Sequence, residues 1–125
     1  MDEAEKVLLQ TMLDSLNQHR PQNLIDLHNV RIIKVGSIFH VDCHLTVTWY
    51  LSVREAHHEI DSLSAIVKKE FGGSVELFVH ADGCLDFSCR ICDKPDCQVR
   101  QFPFEKKVTW TIENISRDSR HRLET

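Results

Sequence analysis

The chain is 125 residues long, 42% apolar and 27% charged, the mixture expected of one soluble globular domain with a modest core. A net charge of −4, a pI near 6.0 and scattered basic residues, apart from Arg117, Arg120 and Arg122, argue against nucleic acid as a partner. No apolar run approaches the roughly 20 residues of a membrane helix, and the acidic start Met1-Asp2-Glu3-Ala4-Glu5 is no leader, so the chain is expected in the cytosol with its five cysteines reduced.

Asp2 to His19 reads as a helix, because Leu8, Leu9, Met12, Leu13 and Leu16 recur at helical spacing behind an Asp2 cap. Arg20-Pro21 ends it. Asn23 to His28 is a connector, and Val30 to Val35 is a strand rich in Val and Ile. After a turn at Gly36-Ser37, a longer strand runs from Ile38 to Trp49. Its alternation sends Phe39, Val41, Cys43, Leu45 and Val47 to a core, with Cys43 a buried, inert thiol. Ile38, His40, Asp42, His44, Thr46 and Thr48 face the other way, so one face carries three potential metal ligands in a row.

Ser52 and Glu55 form a capping box for a helix ending near Phe71. Val53, Ala56, Ile60, Leu63, Val67 and Phe71 make its buried stripe, with His57 and Asp61 one turn apart beside it. Gly72-Gly73 closes the helix and leads into a strand over Glu76 to Asp82. His80 and Asp82, two apart at its end, point to one face and can meet one cation. Helix, strand, strand, helix, strand predicts an α+β, ferredoxin-like domain whose helices cover one face of the sheet. A loop over 83–104, an extra C-terminal strand over Lys106 to Ile112 and a polar, frayed tail from Asn114 are expected to follow. Residues 1–82 are then the domain proper, and 83–125 a Cys-rich loop, final strand and tail packed on it.

His28, His44, His57, His80 and Asp82 lie at a strand entrance, in mid-strand, on a helix shoulder and at a strand end, which is how a tertiary metal site is assembled. Spacing alone leaves each of them equally open to reading as an ordinary surface or core residue. His19, His58 and His121 read as surface residues.

His28-Asn29-Val30-Arg31, Gly36, Phe39-His40-Val41-Asp42-Cys43-His44-Leu45, Ser52, Glu55-Ala56-His57, Asp61, Phe71-Gly72 and Val79-His80-Ala81-Asp82 are similar to motifs of one family. In this order, from Leu8 to Asp82, the chain resembles the cytosolic C-terminal domain of cation diffusion facilitators, exporters of zinc and other divalent metals. The resemblance implies a metallochaperone-like ferredoxin fold, a V-shaped homodimer and a two-ion Zn²⁺ (or other divalent metal) site near the subunit interface. It implies His28, His44, His57, His80 and Asp82 as ligands, with Asp82 bridging. His40 and Asp42 are candidates for orienting the imidazoles, or simply an exposed polar sheet face. The family motif usually continues with proline after the aspartate, where this chain has Gly83.

Cys84-x4-Cys89-x2-Cys92-x4-Cys97 follows at once. Four thiols around a central C-x-x-C suit tetrahedral closure on one Zn²⁺. An iron–sulfur centre, a labile thiol pair, disorder, or transfer of Cys84 to the histidine site are the rival readings. The functional expectation is a dimeric metal-binding and sensing domain, with no catalysis and no transport of its own. It would regulate the transmembrane domain of a cation efflux transporter, or act as a stand-alone relative. A metal buffer or chaperone, and a dinuclear zinc hydrolase, are the alternatives.

Overall fold

Two apolar periods set the layers of this computed structural model, which describes residues 1–123. Helix α1 (Glu3–His19) buries Leu8, Leu9, Met12, Leu13 and Leu16, and Asp2 accepts the Glu5 N–H at its start. Helix α2 (Val53–Phe71) carries the full capping box, with Ser52 and Glu55 exchanging side-chain and backbone bonds. Its buried stripe centres on Leu63 and Val67, with Ala56, Ile66 and Phe71 half-buried against the core. Val53, expected in that stripe, is exposed at the first position of the helix. Glu59 is buried instead and accepts from the Asn23 amide at 2.9 Å.

Three strands form the sheet in the order β1-β2-β3. β1 (Asp26–Val35) and β2 (Ile38–Val47) are an antiparallel pair around the turn at Gly36, whose φ of +63° favours glycine. β3 (Val75–Gly83) joins β2 in parallel, the α2 crossover making the connection. The element order is helix, strand, strand, helix, strand, a ferredoxin-like α+β arrangement. Val41, Cys43, Leu45 and Val47 point into the helices as the alternation of β2 predicts. Among the described residues no helix is long and apolar enough to cross a membrane.

Two strand boundaries and one whole element differ from expectation. β1 starts at Asp26, inside the expected connector, and β2 ends at Val47, short of Trp49. The segment over 106–112 is not a strand. Its alternation is real, with Trp110 buried and Val108 and Ile112 half-buried, but from Val108 to Trp110 its backbone partners are side chains. Asn17 donates to the Trp110 carbonyl at 2.8 Å and accepts from its N–H at 2.9 Å. Arg20 donates to the Val108 carbonyl, and its guanidinium lies 4.0 Å above the Trp110 ring. The helix α1 end therefore takes the place of a neighbouring strand.

The tail is not frayed. Helix α3 (Ile112–Ile115) seats Ile115 in the main core, and the chain then returns along β1. Asn29 donates to the Arg117 carbonyl, Arg31 to that of Ser116, and Arg120 to that of Gly83. His121, expected at the surface, is largely buried and pairs through both backbone N–H and ring with buried Asp26.

Candidate metal centre

Strand register puts three imidazoles in one row. His28 on β1 faces His44 on β2, which faces His80 on β3. Ring centroids are 5.2 Å apart for the first pair and 4.8 Å for the second. The row lies on the sheet face turned away from the helices, because Cys43 and Leu45 on either side of His44 are in the core. Asp82 shares the face of His80, and its Oδ2 is 3.1 Å from His44 Nδ1.

The ligand atoms of His28, His44 and Asp82 all lie within 4.8 Å of one another, the one such group of three or more among the described residues. Metal–ligand bonds of about 2.0–2.2 Å place the donors of one ion roughly 3–4 Å apart, so small rotations suffice to close this group on a cation. Each donor comes from a different strand, and the sheet holds all three.

The polypeptide behind the row supplies the second requirement, an imidazole that lacks another partner. His28 is buried beside the returning tail, and its Nδ1 has no hydrogen-bond partner. Burial pushes its pKa below the ordinary histidine value, against the opposing charge of Asp26. The ring is therefore neutral near pH 7, with a lone pair to offer. A buried polar atom without a partner costs on the order of 1–3 kcal/mol, which a bound cation would offset. Asn29 makes this corner: its φ of +50° accompanies the bulge between His28 and Arg31 that turns the strand towards the tail.

The other expected ligands stand outside the group. His80 stacks on His44, but its Nε2 pairs with Asp42 Oδ1 at 3.3 Å. His40 pairs with Glu76 at 3.4 Å and stacks on Phe78. Asp42 thus orients an imidazole, that of His80, while His40 turns to Glu76. His57, on α2, is exposed and pairs with Asp61 at 3.6 Å. Arg120, whose charge acts on His28, and His121, which pairs with Asp26, carry no signal in the sequence, since their partners lie 37 and 95 residues away.

Cys84, Cys89 and Cys97 line one cavity of about 350 Å³ beside Trp49. Cys92 is buried against Ile25 and Ile91, with Cys84 packed on the same cluster. All five cysteines are free thiols. Gly83 continues β3 where a proline is usual in the resembling family. A Cβ there would meet Trp49 Cβ at 3.0 Å and Cα at 3.2 Å, so glycine allows the Cys84 backbone its bond to the Val47 carbonyl.

Solved structures share this fold. The C-terminal domain of the CzcD transporter from Thermotoga maritima, in a metal-bound form, is similar with a TM-score of 0.57 and 21% identity, over 66% of this chain and 94% of that one. A zinc form of a MamM CTD variant gives a TM-score of 0.56 at 16% identity, over 67% of this chain and 90% of that one. Another MamM CTD variant gives 0.56 at 18% identity, over 66% of this chain and all of that one. No curated protein matches the chain in sequence. The family model described as "Cation efflux protein, cytoplasmic domain" matches residues 4–84, which takes in all three strands and the whole histidine row. That family is a transporter domain rather than a class of enzyme, and this chain belongs to it.

Proposed function

We propose that the chain is a metal-sensing cytoplasmic domain that binds a divalent ion, Zn²⁺ first, through His28, His44 and Asp82. The observation that carries this reading is the group itself: three donors from three strands within 4.8 Å, one a buried imidazole whose Nδ1 has no other partner. Two imidazoles and one carboxylate match the ligand chemistry of zinc, and zinc is the ion named for one similar structure. The bound ion would fix the ends of the three strands relative to one another.

His80 with Asp42 extends the row, and Asp82 has a second carboxylate oxygen to offer, so a second ion would sit on the His80 side. His57 lies outside the group in its own chain and would serve the site of a second copy. In this reading zinc draws two copies together, and the change in their packing is what a membrane-embedded transport segment responds to.

The test is zinc binding by calorimetry alongside sedimentation of the metal-stripped chain with and without Zn²⁺. Zinc should bind and shift the chain towards a dimer, and His44→Ala should abolish the shift together with the zinc held by the histidine row, leaving any zinc held elsewhere in the chain. Zinc binding in His44→Ala equal to the parent's in both stoichiometry and affinity would dispose of the site. Zinc binding with no change in association would retain the site and dispose of the dimeric sensing role.

A further inference from the structure

Residues 84–101 lie almost wholly beyond the family match, and they contain four of the five cysteines. We propose that Cys84, Cys89, Cys92 and Cys97 form a separate tetrathiolate Zn²⁺ centre that clamps this segment onto the end of the sheet. The inference is independent of the histidine site.

Three observations converge on it. The first is placement. Cys84, Cys89 and Cys97 open into one cavity, and Cys84 also touches the cluster that buries Cys92. Cys84 therefore links all four thiols, although they come from the end of β3, the short 3-10 turn over Asp86–Ile91, and the loop after it.

The second is the backbone that presents them. The Arg100 guanidinium donates to four carbonyls, those of Cys89 at 2.8 Å, Cys92 at 2.7 Å, Lys94 at 3.2 Å and Phe102 at 3.0 Å. One side chain thus ties the start of the Cys92–Cys97 loop to the turn carrying Cys89. The same cation is bonded to the backbone of two cysteines whose thiols become anionic on binding metal, and four thiolates around Zn²⁺ leave a net charge of −2 to be offset. Asp96 has a φ of +59°, a left-handed conformation that reverses the chain just before Cys97. The Gln101 N–H points at Cys89 Sγ at 3.4 Å, a donor suited to a metal-bound thiolate.

The third is what holds the segment otherwise. Its own buried apolar side chain is Ile91, packed with Ile25 and Cys92. That is a small core for a loop of this length, and a structural metal supplies the missing free energy directly. The chemistry balances simply: four thiols release four protons, and one Zn²⁺ enters with no redox change.

No three of the sulfur atoms lie within 4.8 Å of one another. Tetrahedral Zn–S bonds of about 2.3 Å set sulfur atoms roughly 3.8 Å apart. Binding therefore draws Cys89 and Cys97 inward across their shared cavity, and the clamp tightens on the ion. The segment it secures starts at the end of β2, where the Cys84 N–H donates to the Val47 carbonyl, beside the histidine row.

The experiment uses the full chain, stripped of metal under reducing, anaerobic conditions and titrated with Co²⁺. Cobalt in a tetrathiolate site gives an intense sulfur-to-metal charge-transfer band that a His/Asp site cannot give. The parent should show this band saturating at one equivalent, and Zn²⁺ should bleach it. Cys89→Ser and Cys97→Ser, both half-buried rather than core positions, should each weaken it by roughly a quarter or more, one thiolate of four. His44→Ala should leave the band intact while losing the other cobalt. No band in the parent, or a band indifferent to both serine variants, overturns the centre. So does a band lost in His44→Ala, which would mean one mixed site. Iron with acid-labile sulfide in the isolated protein overturns the zinc assignment.

Discussion

Asp82 shows how little of a binding residue's role is stability. Its pair with His44 leaves each side chain about one-third exposed, and such pairs are worth ~0–1 kcal/mol. Asp82→Asn keeps the shape and removes the charge that a cation needs. Urea denaturation of the metal-stripped variant should change by less than about 1 kcal/mol, while zinc affinity measured by calorimetry falls at least tenfold, ~1.4 kcal/mol. A large stability loss without zinc would make Asp82 a structural residue. Cys43 gives the opposite case, a thiol outside any site. Burial, and then the neighbouring Asp42 charge, push its pKa up to about 12, so at pH 8 almost none is thiolate. Alkylation of the metal-stripped protein, mapped by mass spectrometry, should label Cys84, Cys89 and Cys97 well before Cys43, which reacts only on unfolding. Early labelling of Cys43 would contradict its place in the core. The inertness of Cys43 was legible in β2's alternation. The burial of His28 was not, because the tail that runs past it, with Arg117 bonded to Asn29 and Arg120 close enough to act on the imidazole, comes from far along the chain.

Elements were legible where one period ran unbroken. The Leu8 to Leu16 stripe, the Ser52 box and the Val41 to Val47 alternation each name a face and an end without reference to the rest of the chain. Thr46 and Thr48 show the limit. Their place in the alternation of β2 and the residue just past it marks them for a polar, solvent-facing side, yet both are buried. The 106–112 segment shows a second limit: alternation reports which side chains are buried, not what the backbone bonds. Here the Asn17 amide does a strand's work for Trp110, one donor and one acceptor at once. Asn17→Ala leaves both backbone groups of a buried residue unmatched and should cost about 1–3 kcal/mol in urea denaturation. Asn17→Asp is nearly isosteric and should cost at least as much, because it sets a carboxylate oxygen against the Trp110 carbonyl. Parent-like stability in the aspartate variant would show that the two bonds carry no weight.

At the scale of the whole molecule the question is where the domain ends. The family match stops at residue 84, and β3 at Gly83 is the last strand among the described residues. An end there would leave a complete αββαβ unit on paper. The core says otherwise. Trp110 and Ile115, both beyond that point, are fully buried in the same cluster as α1, and Val108 and Ile112 pack on it. Trp110 also anchors Asn17 and Arg20 at the end of α1. Removing one buried tryptophan typically costs about 3–5 kcal/mol, a large share of the ~5–15 kcal/mol that holds a domain together. Trp110→Ala should therefore lower the urea midpoint sharply, with an unchanged slope. A chain cut after Gly83 loses Trp110 and Ile115 together and strips Asp26 of His121 as well, so it should not unfold cooperatively at all. Comparing the thermal transitions of the two with the parent decides the matter. A sharp, parent-like transition in the shortened chain would mean that everything after β3 is an appendage. A broad or absent one would mean that this member of the family has built its own C-terminal segment into the core, and set it against the histidine row.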